Sequence, residues 1–300
     1  MRSENLSKKT ANNVLILGRG YIGNYLSTYL YGNMDNVYQL GSEEFDYHDV
    51  TKLVKFILNK EINIVINCSG FTGRPNVDEA ELKKEECWRL NVVSPLEINR
   101  LCNRYGVEYY HISSGCIYTG YEHVFIEEHT PNFGLFDVSS FYSKSKHAFE
   151  IMSKGLRNKI IRIRMPICDD LTNPRNYLKK IIEYPNLIDY KNSKTYIPEL
   201  CGFIKALIES GIYVNGQDIY NVVNHQPLYT KQVIGQLNTM NEGNWFKLNP
   251  NWVELEDLNI TAPRSNCVLD NTKASEIFKL SDETTILNMV CNFNNGIASA

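Results

Sequence analysis

No window of the sequence approaches the roughly 20 consecutive apolar residues that a membrane-spanning helix requires, so no membrane partner is expected. An excess of one charge is missing too. With 31 Lys and Arg against 34 Asp and Glu, the net charge of -3 gives no general attraction for nucleic acid or an anionic bilayer, so any anionic ligand must be held by local groups. The eight cysteines stand scattered at 68, 87, 102, 116, 168, 201, 267 and 291, with no Cys-x-x-Cys and no compact Cys/His cluster. That argues against a zinc site and a disulfide framework alike, and reduced thiols are expected. The six histidines, His111 and His147 among them, form no ligand pattern, so they are read as structural and no metal is expected. Residues 1–13 are polar and lack the apolar core of a signal peptide; they read as a disordered tail, and the chain is expected in the cytosol.

What remains is 300 residues, 43% hydrophobic and 22% charged, enough for one large or two modest domains. Short aliphatic runs alternate with amphipathic stretches of helical length. Strands are expected at 14–17, 37–40, 62–67, 107–113 and 159–164, and helices at 22–31, 51–59 and 140–154. The segment 79–105 reads as helical with an interruption near Pro95. This is the pattern of an α/β fold, a Rossmann-type doubly wound parallel sheet with a smaller C-terminal substrate-binding lobe. The cofactor domain is expected over 14–165, with 202–223 returning to the sheet, and 166–300 mainly forms the lobe.

Gly18-Arg-Gly20-Tyr-Ile-Gly23 follows the first strand and opens a helix, the context that gives a Gly-x-Gly-x-x-Gly match its meaning. Glycines permit the tight turn and let a pyrophosphate approach the amides at the helix start. An acid about 20 residues on would hold the ribose hydroxyls of NAD. Here Val37-Tyr-Gln-Leu40 is followed by Gly41 and Ser42, with no carboxylate at the strand end. Arg19 and Ser42 are placed to receive a 2′-phosphate, so NADP(H) is favoured, although Glu43 and Glu44 stand nearby.

Tyr142 and Lys146 are four apart on a predicted helix and share a face. An ammonium beside the phenol is expected to lower its reference pKa of about 10 and make Tyr142 a proton donor to a developing alkoxide. Ser114, at the end of a predicted strand, supplies a hydroxyl for the same carbonyl, with its neighbour Ser113 as the rival. These three parts predict ketone reduction with a nicotinamide. Cys116, two residues after Ser114, adds a thiol suited to moving protons on carbon.

On these residues, and on Thr72–Asp78, Thr130–Phe133, Phe141–Lys144, Arg164–Ile167, Asp170–Asn176 and Ala262–Asn266, the chain resembles the extended short-chain dehydrogenase/reductases. Within them it is similar to the bifunctional 3,5-epimerase/4-reductases that complete UDP-L-rhamnose synthesis in plants and giant viruses, the giant-virus form above all. One departure is in the glycine loop, one residue shorter than the Gly-x-x-Gly-x-x-Gly common there. The resemblance implies a nucleotide-linked 4-keto-6-deoxyglucose, UDP favoured, whose ketone acidifies the protons on carbons 3 and 5. It implies Cys116 and Lys180, the latter preferred over Lys179, as the acid/base pair, and Tyr142 and Lys146 as proton donor and ribose anchor.

The cofactor set implied is Gly18, Arg19, Gly20, Tyr21, Ile22, Gly23, Ser42, Asp49, Cys68, Ser69, Gly70 and Met165, with Tyr142 and Lys146. Sugar or diphosphate is assigned to Thr72, Arg74, Asn76, Asn173, Arg175, Asn176 and Arg264, with Ser114 and Cys116, because guanidinium forks match phosphate oxygens. A plain helix cap explains Asp49 equally well. A homodimer through 82–105 and 140–154 is expected by analogy. The alternatives are a reductase that relies on a separate epimerase and a non-catalytic NADP-binding regulatory subunit.

Overall fold

The computed structural model describes residues 12–34, 36–74, 76–240 and 248–298; the expected N-terminal tail lies outside them as far as residue 11. The aliphatic runs form β1 (Asn13–Leu17), β2 (Asn36–Leu40), β3 (Ile64–Asn67), β4 (Glu108–Ser114) and β5 (Asn158–Ile163). Short strands follow as β6 (Pro166–Ile167), β7 (Asn186–Leu187) and β8 (Thr195–Tyr196), then β9 (Gln217–Asn221) and β10 (Asn251–Trp252). Six of these make one parallel sheet in the order β2-β1-β3-β4-β5-β9. Near-continuous burial of β1, β3, β4 and β5 is what a parallel sheet covered on both faces demands. The sixth strand comes from within 202–223, the stretch expected to return to the sheet.

Helices cover both faces. On one, α1 (Tyr21–Tyr31) and α8 (Ile197–Ser210) bury Leu26, Leu30, Phe203, Ile204 and Leu207 against Val14, Ile16 and Ile161. On the other, α2 (Val50–Asn59), α5 (Ser94–Arg104) and α6 (Phe141–Met152) bury Leu53, Ile57, Leu96 and Phe149 against Leu15, Val65 and Ile160. A third core lies beyond the sheet: α7 (Tyr177–Glu183), α9 (Thr230–Met240) and α11 (Glu283–Ala298) contribute Leu178, Ile181, Val233, Leu237, Ile286 and Val290, while α10 (Thr272–Ser275) packs beside β9.

The break in 79–105 falls earlier than Pro95. α3 (Glu79–Leu82) and α4 (Lys84–Trp88) part at Lys83, and a wide π turn spans Arg89–Val93 before α5. Pro95 sits in the first turn of α5, where its missing N–H is tolerated, and the widened turn lies on the carbonyls it cannot reach. In this sheet the order reverses beside β1, between β2 and β3, so a crevice opens above the strand ends that carry Gly18 and Cys68.

Candidate active site

A cavity of about 1640 Å³ runs from the glycine loop across the ends of β3, β4 and β5 to α7 and the 258–266 segment. At its cofactor end the loop is shaped by two glycines for different reasons. Gly18 has φ +102 and lies against the Cys68–Ser69 backbone, while a Cβ on Gly23 would stand 2.2 Å from the Gly18 carbonyl oxygen. Gly20, by contrast, faces open space at the start of α1, and no side chain caps the helix there. Uncapped amides with open space at Gly20 in front of them fit a dinucleotide pyrophosphate. Arg19, Gly20, Tyr21, Ile22, Cys68, Ser69, Gly70 and Met165 all line this part.

Two expected cofactor residues are placed elsewhere. Asp49 caps α2, accepting from the Thr51 and Lys52 amides at 2.9 and 3.2 Å, and like Ser42 is not in the cavity wall. Helix capping thus already occupies its carboxylate. Arg19 stays exposed and pairs with Glu44 at 2.7 Å, so a 2′-phosphate there would compete with an acid.

Ser114, Cys116, Tyr142, Lys146 and Lys180 all face the cavity. Ser114 ends β4, and its hydroxyl accepts from the Cys116 amide at 3.2 Å, which turns the chain through Gly115–Ile117 and presents the thiol. The rival Ser113 also reaches the wall, but its hydroxyl donates to Glu150 at 2.6 Å inside the buried Arg162–Glu150 pair, which makes it structural. Ser140 caps α6 and so sets the rotation of the face bearing Tyr142 and Lys146. Lys146 donates to the Ile112 carbonyl at 3.2 Å and stands 6.0 Å from the Tyr142 ring centre. Burial pushes its ammonium down to about 8.

The expected lowering of the phenol is not what the site's electrostatics give. Burial raises Tyr142 well above the ordinary tyrosine value, Cys116 adds to the rise, and the Ser114 hydroxyl only partly opposes it. A phenol held protonated remains a proton donor, so the geometry serves a general acid by a different electrostatic route.

Across the cavity, Arg74, Arg175 and Lys180 form a cationic wall. Burial lowers Arg175, with the Arg74 guanidinium adding to it, and Lys180 is lowered by burial and by Arg175. Of the adjacent lysines, Lys180 lines the wall, while Lys179 is ion-paired with Glu183 away from it. Thr72, Asn76 and Asn173 also line the cavity. Asn176 does not: fully buried, it caps α7 through the Leu178 amide and donates to the carbonyls of Cys168 and Asp170. Arg264 lines the wall, but its guanidinium is forked onto Asp78 at 2.8 and 3.0 Å, so its first task is to clasp the 72–78 loop to the 262–266 segment. Sequence reasoning missed Asn91 in the π turn. Its amide accepts from the Phe71 amide at 2.7 Å and donates to the Phe71 carbonyl and Ser145, fixing the loop beside Lys146. Among the described residues no group of three metal-ligating side chains occurs.

A model of the family described as NAD dependent epimerase/dehydratase matches residues 14–180, more than half of the chain. The chain belongs to that family. The family's match ends at Lys180 and includes Ser114, Cys116, Tyr142 and Lys146. A relative from Arabidopsis thaliana, a bifunctional dTDP-4-dehydrorhamnose 3,5-epimerase/reductase, is 33% identical over 91% of this chain and 90% of its own. A trifunctional UDP-glucose 4,6-dehydratase/UDP-4-keto-6-deoxy-D-glucose 3,5-epimerase/UDP-4-keto-L-rhamnose reductase of the same plant is 31% identical over 92% of this chain, which spans 41% of it. Among solved structures, the L780 UDP-rhamnose synthase of Acanthamoeba polyphaga mimivirus superposes with a TM-score of 0.82 at 21% identity, covering 94% of this chain and 99% of that one. The Bacillus anthracis dTDP-4-dehydrorhamnose reductase in complex with NADP gives 0.78 at 20%, covering 93% and 98%. At these identities the likeness concerns the fold, the six-stranded parallel sheet with its helical layers.

Proposed function

We propose that the protein is a bifunctional enzyme that inverts carbons 3 and 5 of a nucleotide-linked 4-keto-6-deoxyglucose, UDP favoured, and reduces the carbon-4 ketone with NADPH to give UDP-L-rhamnose. The observation that carries this is one cavity holding a hydroxyl, a phenol and an ammonium together with a thiol and a second lysine. The relatives' epimerase and reductase activities support the same pairing. Ser114 and Tyr142 hold the ketone oxygen. Its electron withdrawal acidifies the hydrogens on the neighbouring carbons, and Cys116 and Lys180 exchange protons there. Tyr142 then gives its proton to the oxygen as the ketone is reduced, while Lys146 steadies the ribose and the phenolate. A bound nicotinamide supplies the hydride, and reduction traps the inverted sugar.

The lowered basicity of Lys180 suits a group that must both take and return a proton near neutrality. Arg74 and Arg175 hold the diphosphate, whose charge offsets their mutual repulsion. In this reading the sheet, 14–165 with 202–223, holds the cofactor, and the remainder of 166–300 holds the nucleotide sugar. The protein works as a cytoplasmic homodimer. Incubation with UDP- and dTDP-4-keto-6-deoxyglucose and each nicotinamide, with the product sugar read by NMR, tests the assignment. A product that keeps the starting configuration at carbons 3 and 5 would leave a reductase only.

A further inference from the structure

Buried cations in this fold are paired with carboxylates: Arg162 with Glu150, Lys194 with Glu283 and Lys159 with Glu108, each at 2.7 Å. Arg164, 1% exposed at the end of β5, has none among the described residues. Its acceptors are the Gly115 carbonyl at 3.2 Å, the Ser265 hydroxyl and carbonyl at 2.8 and 3.0 Å, and the Asn192 amide oxygen, all neutral. Its Nε has no hydrogen-bond partner among the described residues. Sequestering a charge on these terms is costly unless a counter-charge arrives. Among the described residues Lys146 is the other buried cation with no carboxylate partner, and the proposed function gives it the cofactor ribose.

The place of this charge is specific. Arg164 lies at the cavity wall directly beneath the turn that presents Cys116, where a Cβ on Gly115 would stand 3.0 Å from its Cγ. Burial works against its charged form, yet the thiols of Cys267 and Cys116 and the phenols of Tyr121 and Tyr142 around it hold that form above the ordinary arginine value. Of the two thiols, only Cys116 lines the cavity.

We propose that Arg164 is the positioning residue of the inversion chemistry, its uncompensated charge placed for the thiolate that Cys116 forms at one end of every inversion. This rests on the epimerase reading above. In one inversion a base takes the proton beside the ketone, the C–H electron pair passes into the enolate, and an acid on the opposite face returns a proton to the same carbon. As the base Cys116 enters as thiolate; as the acid it leaves as thiolate. Lys180 carries the complementary proton, and nothing is oxidised or reduced. Hydride reduction does not pass through that thiolate.

Three variants separate charge from architecture. Arg164→Met removes the charge, Arg164→Lys retains it, and Asn192→Asp sets a carboxylate on the guanidinium while leaving it in place. Alkylation by iodoacetamide at one neutral pH, read by peptide mass spectrometry, follows Cys116, with Cys68, whose thiol burial holds protonated, as the control for unfolding. Cys116 should slow about tenfold in Arg164→Met and Asn192→Asp, stay near wild type in Arg164→Lys, and Cys68 should not change. Deuterium exchange at carbons 3 and 5 should fall in parallel, and NADPH reduction of an already inverted ketone should fall less. Wild-type alkylation of Cys116 in an Asn192→Asp protein that still binds NADPH would overturn the proposal even if Arg164→Met fails to fold. An Arg164→Lys protein as slow as Arg164→Met would do the same. If alkylation responds but the wild type exchanges no deuterium, the Arg164–Cys116 pairing stands and the epimerase reading falls.

Discussion

Lys146 shows how one side chain ties rate to pH. Burial holds its ammonium down to about 8 against an ordinary 10.5, so the charged form that orients ribose and phenolate is lost as pH rises through about 8. The pH profile of kcat/KM for ketone reduction should therefore fall above that value; a profile flat to pH 10 would contradict it. The stability term has the opposite sign. Between about 8 and 10.5 the unfolded chain binds more protons at this site, so its contribution to stability grows with pH and melting temperature should not track the lost activity. Replacing Tyr142 with Phe should cut reduction about 10²-fold or more, measured by NADPH consumption, while leaving NADPH affinity in place. The Tyr142–Lys146 pair was legible because helical spacing alone puts residues four apart on one face. For Asp49, Asn176 and Arg264 the sequence left ligand, cap and surface pair open, since a polar side chain at a loop end faces ligand or backbone according to where the helix begins. Two of them cap helices and the third holds Asp78.

At the scale of elements, the glycine loop makes a paired prediction. Gly23→Ala forces a methyl into the Gly18 carbonyl and should cost about 1–3 kcal/mol along with NADPH binding. Gly20 has extended backbone and open space, so Gly20→Ala should melt like the wild type yet bind NADPH more weakly, because its methyl fills the cradle in front of α1. Thermal melts and fluorescence titration check both; equal melting of the two variants would contradict the assignment. Strands were readable from continuous aliphatic runs such as Val14–Leu17, and the start of α1 from its glycines. The π turn at Arg89–Val93 showed locally only as an interruption near Pro95, and its exact placement did not show. It arises because Asn91 is drawn across to Phe71 and Ser145, contacts separated by 20 and 54 residues.

Over the whole molecule, the sheet and the C-terminal elements meet along the cavity, and the Asp78–Arg264 clasp closes its rim. Arg264 holds the Asp78 carboxyl below the usual aspartate value, so the clasp persists as pH falls through the ordinary carboxylate range and is lost only below it. Asp78→Asn should raise KM for the nucleotide sugar while leaving NADPH affinity unchanged; a loss confined to NADPH binding would contradict that geometry. Residues beyond 166 were the least legible, because their two-residue strands and third core depend on partners distant in sequence, such as β10 with β7. The central claim is that one pocket first loosens the hydrogens beside a ketone and then reduces it. Its most direct test is to incubate the protein with UDP-4-keto-6-deoxyglucose in heavy water, first without and then with NADPH, and read the sugar by NMR. Deuterium at carbons 3 and 5 before NADPH is added, followed by UDP-L-rhamnose afterwards, is the predicted result; NADPH consumption with no deuterium at either carbon would contradict it.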